Sequence, residues 1–201
     1  MNQEQEQQKE QFQFEALIQG LIDNKYGCSD DFFDAATVAG LRNNIKQLSE
    51  SAQMKSAGVG NKQDYQENKL VRGDRIKWIE QGSQDQYESL FVSKIDRFIQ
   101  YLNKTCYTSI KSIESHYANY EQKSFYKRHL DQFKSDKGRQ FSISLYLNDA
   151  WQETDGGMLS LYPENEKQQD IYPIGGRMVF FKSDEMEHEV HPSFTRERVS
   201  I

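Results

Sequence analysis

The chain has 201 residues, 36% hydrophobic and 12% aromatic, with 31 acidic residues against 25 basic ones for a net charge of −6. That length suits one domain with a sizeable core. The acidic balance and the lack of any basic block argue against nucleic acid as a partner, and no run approaches the roughly 20 apolar residues of a membrane span.

The first 13 residues, mostly Gln and Glu, are expected to be a polar tail ahead of a single domain over 14–201. Phe14–Ile22 has helical spacing. Asp30–Asp34 precedes a second helical pattern, with Ala35, Val38, Leu41 and Ile45 on one stripe and Leu48 beside it. The polar stretch 51–69, with Gly58 and Gly60, predicts a long mobile loop of the kind that often serves as a lid. Asp74–Ile79 alternates as a strand. Leu90, Phe91, Ile95, Phe98, Ile99 and Leu102 predict a third helix ending near Asn103, so 14–105 reads mainly as helical support for a sheet.

From Lys111 the pattern turns to short strands, predicted at 112–121, 125–131, 140–148, 157–162, 170–173, 177–183, 187–191 and 197–201. Turn signals such as Asp155-Gly156-Gly157 and Gly175-Gly176 separate them. A mainly β fold with α follows, a jelly roll formed from about 71 and from 111–201 and faced by N-terminal helices. The last strand runs to Ile201, so a further element beyond it is expected to be possible. Cys28 and Cys106 form no paired metal motif and imply thiols in a reducing cytoplasm.

Chemistry concentrates in Phe125–Asp131. Apart from the Lys127-Arg128 step, apolar and polar residues alternate there, so His129 and Asp131, two apart on a strand, are expected to share a face. The chain has four histidines, His116, His129, His188 and His191. His188 follows the apolar run Met178–Phe181, and on a strand its neighbours Glu187 and Glu189 point away from it. His191 stands at an odd offset, on the opposite face, and Pro192 ends the strand. Two His and one Asp leave three metal positions open and suit Fe(II), Mn(II) or Zn(II). His116 and His191 are not expected to be ligands, and Trp78 and Trp151 are expected in the core.

Several ordered segments carry a family likeness: Val71–Glu80, Phe125–Asp131, Ser144–Asn148 followed by Trp151, Gly156-Gly157, His188-Glu189-Val190 with Pro192, and Arg196–Ile201. Together they resemble Fe(II)- and 2-oxoglutarate-dependent dioxygenases of the prolyl 4-hydroxylase family, and are similar to the hypoxia-inducible-factor prolyl hydroxylases and their bacterial relatives. The resemblance implies a double-stranded β-helix with His129, Asp131 and His188 as iron ligands. It implies Arg198 as the cation for the distal carboxylate of 2-oxoglutarate, with Arg196 a competitor on the same strand face. Tyr146 would hold that carboxylate too, and Tyr120 and Tyr126 would line the pocket. Asp74, Arg139 and Tyr126 would shape the substrate groove, Tyr126 and Arg139 also serving the reaction.

The activity so implied is prolyl 4-hydroxylation of a protein or peptide, consuming dioxygen and 2-oxoglutarate and releasing succinate and CO2, with ascorbate as an accessory. Hydroxylation of a free amino acid or small metabolite stays open beside it. So does a non-catalytic, cupin-like binding or oxygen-sensing protein.

Overall fold

A computed structural model describes residues 3–58, 68, 70–132 and 138–201. Three helices come first: α1 (Gln3–Asn24), α2 (Ala35–Glu50) and α3 (Gln86–Thr105). Among them lie β1 (Tyr26–Ser29), β2 (Lys55–Ser56) and β3 (Arg75–Trp78). Then follow β4 (His116–Tyr120), β5 (Tyr126–His129), β6 (Phe141–Leu145), β7 (Leu159–Tyr162), β8 (Gln169–Ile171), β9 (Met178–Lys182), β10 (Glu187–Val190) and β11 (Arg198–Ser200).

The helices form for reasons written in their sequences. Asp34 caps α2 by accepting the Thr37 N–H at 2.8 Å, and Asp85 caps α3 by accepting those of Tyr87 and Glu88 at 2.9 Å. On α3, Phe91, Ile95, Phe98 and Leu102 recur at steps of four and three and are all buried. That stripe meets the sheet through Phe98, whose ring lies 5.2 Å from that of Phe180 on β9.

All strand pairings are antiparallel, in the orders β1-β9-β6, β11-β4-β3-β2 and β5-β10-β7-β8. A bridge between Tyr146 and Ser200 ties the first two sheets together. The apolar run of β9 is continuous because both its faces are covered. Met178 and Phe180 join the helix-side core, while Val179 and Phe181 join a second cluster with Tyr120, Tyr146, Leu161 and Val190. This second cluster is the interior of the predicted jelly roll.

Four expectations need correction. Residues 3–13 are not a tail but the first half of α1. Glu10 pairs with Arg97 at 2.7 Å, and buried Gln13 accepts from the Lys94 ammonium, because the polar stretch docks on α3. The stretch 51–69 does not begin as a loop: β2 pairs with β3, and Met54 and Ala57 are buried. Its portions 59–67 and 69 lie outside the described residues. Trp78 is 49% exposed rather than core, packing only its edge against His116, whereas Trp151 is buried and donates to the Gly156 carbonyl. The predicted strand 125–131 stops at His129.

Strand β1 went unpredicted because four residues around a glycine carry no period. Gly27 is there because α1 lies against it: a Cβ at this position would sit 2.2 Å from the Leu17 carbonyl oxygen. The three nearest atoms, the Leu17 O, C and Cα, are all backbone, so the clash cannot relax by a rotamer change. Gly27→Ala is therefore expected to destabilise the chain by roughly 1–3 kcal/mol, read as a lowered urea midpoint. An unchanged midpoint would show that α1 does not seat on β1 as described.

Candidate active site

His188 on β10 pairs in register with His129, the last residue of β5. Antiparallel partners place their side chains on one face, and the two imidazole centroids lie 4.2 Å apart. Asp131 stands beyond the strand, in a bend, so shared strand parity does not bring it to His129. It arrives all the same: its Oδ1 is 3.5 Å from His129 Nε2 and 3.6 Å from His188 Nε2. One donor atom from each of the three lies within 4.8 Å of the others, the only such group of metal-ligating side chains among the described residues.

The two imidazoles are oriented by the same device. His129 Nδ1 faces the Lys127 carbonyl oxygen at 2.7 Å, and His188 Nδ1 faces that of Met186 at 3.1 Å. A carbonyl only accepts, so each Nδ1 carries a proton, and Nε2 is the ring nitrogen turned toward Asp131. Burial pushes the His188 pKa down, which keeps that ring neutral. Burial acts to raise the Asp131 pKa, but His129, His188 and the Ser142 hydroxyl together hold it well below the usual carboxylate range. The set is two imidazole nitrogens and one carboxylate, a donor set that fits Fe(II).

Tyr126 and His129 are three apart, yet their rings stack at 3.5 Å and 17°. The register explains it. His188 pairs with His129 and Val190 with Tyr126, so β5 spends three steps where β10 spends two. The extra residue is the Lys127-Arg128 step, both exposed, that interrupts the alternation in the sequence. This bulge turns Tyr126 onto the face of His129. Behind Tyr126 stands Arg72, its guanidinium 4.6 Å from the ring centroid and bound to Asp74 through Nε at 2.5 Å and Nη2 at 2.8 Å.

Asp74 is only 2% exposed and gives both oxygens to Arg72. It reaches the cluster through Arg72, whose guanidinium lies against the Tyr126 ring. Arg139 is exposed at the rim of the cluster and donates to the Asp131 carbonyl at 3.2 Å. Arg72 and Ser142 were missed as site residues. Serine at 142 and 144 alternates with Phe141, Ile143 and Leu145, which face the helix-side core, so polar side chains on the interior face were the available signal.

On β11, Arg198 is 2% exposed. Its guanidinium carbon lies 4.9 Å from the Tyr146 ring and 5.1 Å from the Tyr120 ring, and its Nε donates to the Gly157 carbonyl at 3.0 Å. Among the described residues no carboxylate pairs with it. Among the described residues the buried Tyr146 hydroxyl beside it has no partner to accept its proton, and burial pushes its pKa up to about 12 against the opposing pull of Arg198. A buried cation and an unpartnered hydroxyl fit an incoming carboxylate. Arg196 is placed differently. It precedes the strand, so it shares no strand face with Arg198, and its Nη2 is held by Asp155 at 2.7 Å. His191 bonds Ser160 at 2.7 Å on the far side of the sheet from His188, and His116 packs on Trp78.

Residues 115–201 match the family described as the 2OG-Fe(II) oxygenase superfamily. A Pseudomonas putida prolyl-4-hydroxylase is 30% identical and superposes with a TM-score of 0.85, covering 93% of this chain and 95% of that one. A Trichoplax adhaerens prolyl hydroxylase, solved with a hypoxia-inducible-factor oxygen-degradation-domain peptide, is 25% identical with a TM-score of 0.87 over 100% of this chain and 91% of that one. The human Egl nine homolog 1 is 32% identical over 89% of this chain and 44% of its own length. This chain spans about half the length of the curated relatives it matches, 44% to 55% across the human, rat and mouse proteins. With its ligand cluster and double-stranded β-helix in place, the chain belongs to the 2OG-Fe(II) oxygenase superfamily, in the prolyl 4-hydroxylase family.

Proposed function

We propose that this chain is an Fe(II)- and 2-oxoglutarate-dependent dioxygenase that hydroxylates a prolyl residue in a protein or peptide. The observation that carries the reading is the meeting of His129, Asp131 and His188 in one cluster, with the buried, carboxylate-free Arg198 in the same interior. Fe(II), held by the two Nε2 atoms and Asp131 Oδ1, supplies when bound the reduction of dioxygen that couples 2-oxoglutarate breakdown to succinate and CO2 with hydroxylation of a C–H bond.

The chain's own residues do the rest. Arg198 binds the distal carboxylate of 2-oxoglutarate, its planar fork matching two oxygens. The Tyr146 hydroxyl donates to the same group, and Tyr120 walls the guanidinium on one side. Phe181, with its ring 4.9 Å from that of His188, packs against that imidazole. Tyr126 holds the plane of the His129 ring, and Arg139 at the rim meets the peptide. Ascorbate as an accessory reductant belongs to the proposal and rests on the family likeness alone. A cytoplasmic setting belongs to it too, supported by two exposed free thiols.

Incubation with Fe(II), 2-oxoglutarate and a proline-bearing peptide is expected to release succinate and to add one oxygen to the peptide's proline by mass spectrometry. Succinate release that tracks a free amino acid instead would move the substrate to small molecules. His129→Ala and Asp131→Ala are each expected to abolish metal-dependent turnover while circular dichroism stays unchanged. Turnover that survives either change would refute the ligand assignment.

Replacing Arg198 tests the anion end separately. Arg198→Ala removes a charged hydrogen-bonding group worth roughly 1.5–3 kcal/mol, so the KM for 2-oxoglutarate is expected to rise by about tenfold or more. Arg196→Ala, at a half-buried residue held by Asp155 and the Trp151 ring, is expected to leave it unchanged. Equal effects of the two changes would overturn the assignment of Arg198.

A further inference from the structure

Asp131 has no strand to hold it, because β5 ends at His129. What fixes its carboxylate lies on other elements. Its Oδ2, the oxygen turned away from the two imidazoles, accepts from the Ser142 hydroxyl at 2.6 Å. Ser142 sits on β6. Its Oγ lies 2.8 Å from that of Ser183, which follows β9 and is fully buried. The Ser183 backbone joins the same assembly: its carbonyl accepts the Gln132 N–H, and its own N–H donates to the Gln140 carbonyl, both at 3.0 Å.

The proton count gives this chain a direction. A ligating carboxylate is ionised and only accepts, so Ser142 must donate its single hydroxyl proton to Asp131. Ser142 Oγ is then the acceptor toward Ser183, and Ser183 must be the donor. We propose that Ser142 and Ser183 form a directional hydroxyl relay that positions Asp131 to offer a cation one oxygen, Oδ1. Carboxylates with both oxygens free bind cations through one or two of them. The relay leaves Asp131 one and keeps the other coordination positions for the cosubstrates. Ser142 is thus a positioning residue, and partners of this kind commonly set metal affinity by about 10–100-fold.

The inference rests on the metal reading proposed above, and the test separates the two. The metal-free full chain is titrated with Mn(II), followed by electron paramagnetic resonance, and compared with Ser142→Ala, Ser142→Thr and Ser183→Ala. Ser142→Ala is expected to weaken Mn(II) binding about tenfold or more and to change the spectrum of the bound ion, with Ser142→Thr restoring both. Ser183→Ala, which removes the donor but leaves Ser142, is expected to weaken binding by less, and it serves alone if Ser142→Ala does not fold. Binding by Ser142→Ala and Ser183→Ala equal to that of the unsubstituted chain would overturn the relay while leaving the metal site standing. A loss in Ser142→Ala that threonine does not restore would overturn it as well. Failure of the unsubstituted chain to bind Mn(II) would overturn the metal reading and the relay with it.

Discussion

The pairing of His188 with His129 across β10 and β5 is the contact on which the site depends. Side chains alternate along a strand, so a slip of one residue would send an imidazole to the outer face. The outer face is already taken: Glu187 pairs with Arg128, and Glu189 accepts from the Tyr162 hydroxyl at 3.1 Å. Inside, Val190, Leu159 and Leu161 are buried. A slipped β10 would bury two carboxylates against those residues and expose valine, so charge and apolar burial enforce the same register. The metal-ligand geometry is therefore protected by ordinary sheet energetics, before any ion binds.

Two buried charges in this interior are handled in opposite ways. Asp131 is compensated within the protein, by two imidazoles and a serine hydroxyl, and its pKa falls accordingly. Arg198 faces two tyrosine rings and one carbonyl but no carboxylate among the described residues. Cation–π contacts contribute on the order of 1–2 kcal/mol, far less than a partnered anion in the same low-dielectric surroundings. The arrangement leaves the folded chain with an unmet demand for negative charge beside Tyr120 and Tyr146. The demand sets chemical class: a ligand without a carboxylate, or an equally good planar acceptor, gains little there.

Strand β10 was legible because burial alternates along Glu187–Val190, and β9 because its two-sided burial gives the run Met178-Val179-Phe180-Phe181. The ligand trio was legible from residue type and separation along the chain. The path to Asp131 was not: strand parity happened to give the right neighbour for the wrong reason, since the backbone bends after His129. The Lys127-Arg128 step looked like noise in an alternating pattern and proved to be the bulge that brings Tyr126 over His129. Arg72 and Asp74 share a strand-like parity in the sequence, but only the fold buries them as a pair. Strand β1 left no trace because its key residue, Gly27, acts through what it lacks.

Beyond the shared Nδ1-to-carbonyl contact of the two imidazoles, each ligand has its own support. His129 is clamped through its flat face, by Tyr126, with Arg72 and Asp74 behind it. His188 is fixed by its ladder on both sides, to β5 and to β7, and by its own Met186 carbonyl. Asp131 hangs from hydroxyls on β6 and beyond β9. The supports draw on β6, β7 and β9 and on residues 72–74 just before β3, segments far apart in the chain. A cluster restrained in this way has little ordering left to do when an ion arrives, and the binding energy goes to coordination rather than to assembly. That is also why two of the three strands carrying those supports inward, β6 and β9, are the ones the helices cover: the rigidity at the ligands is borrowed from the aromatic core built by Phe98, Phe141 and Phe180 on their other face.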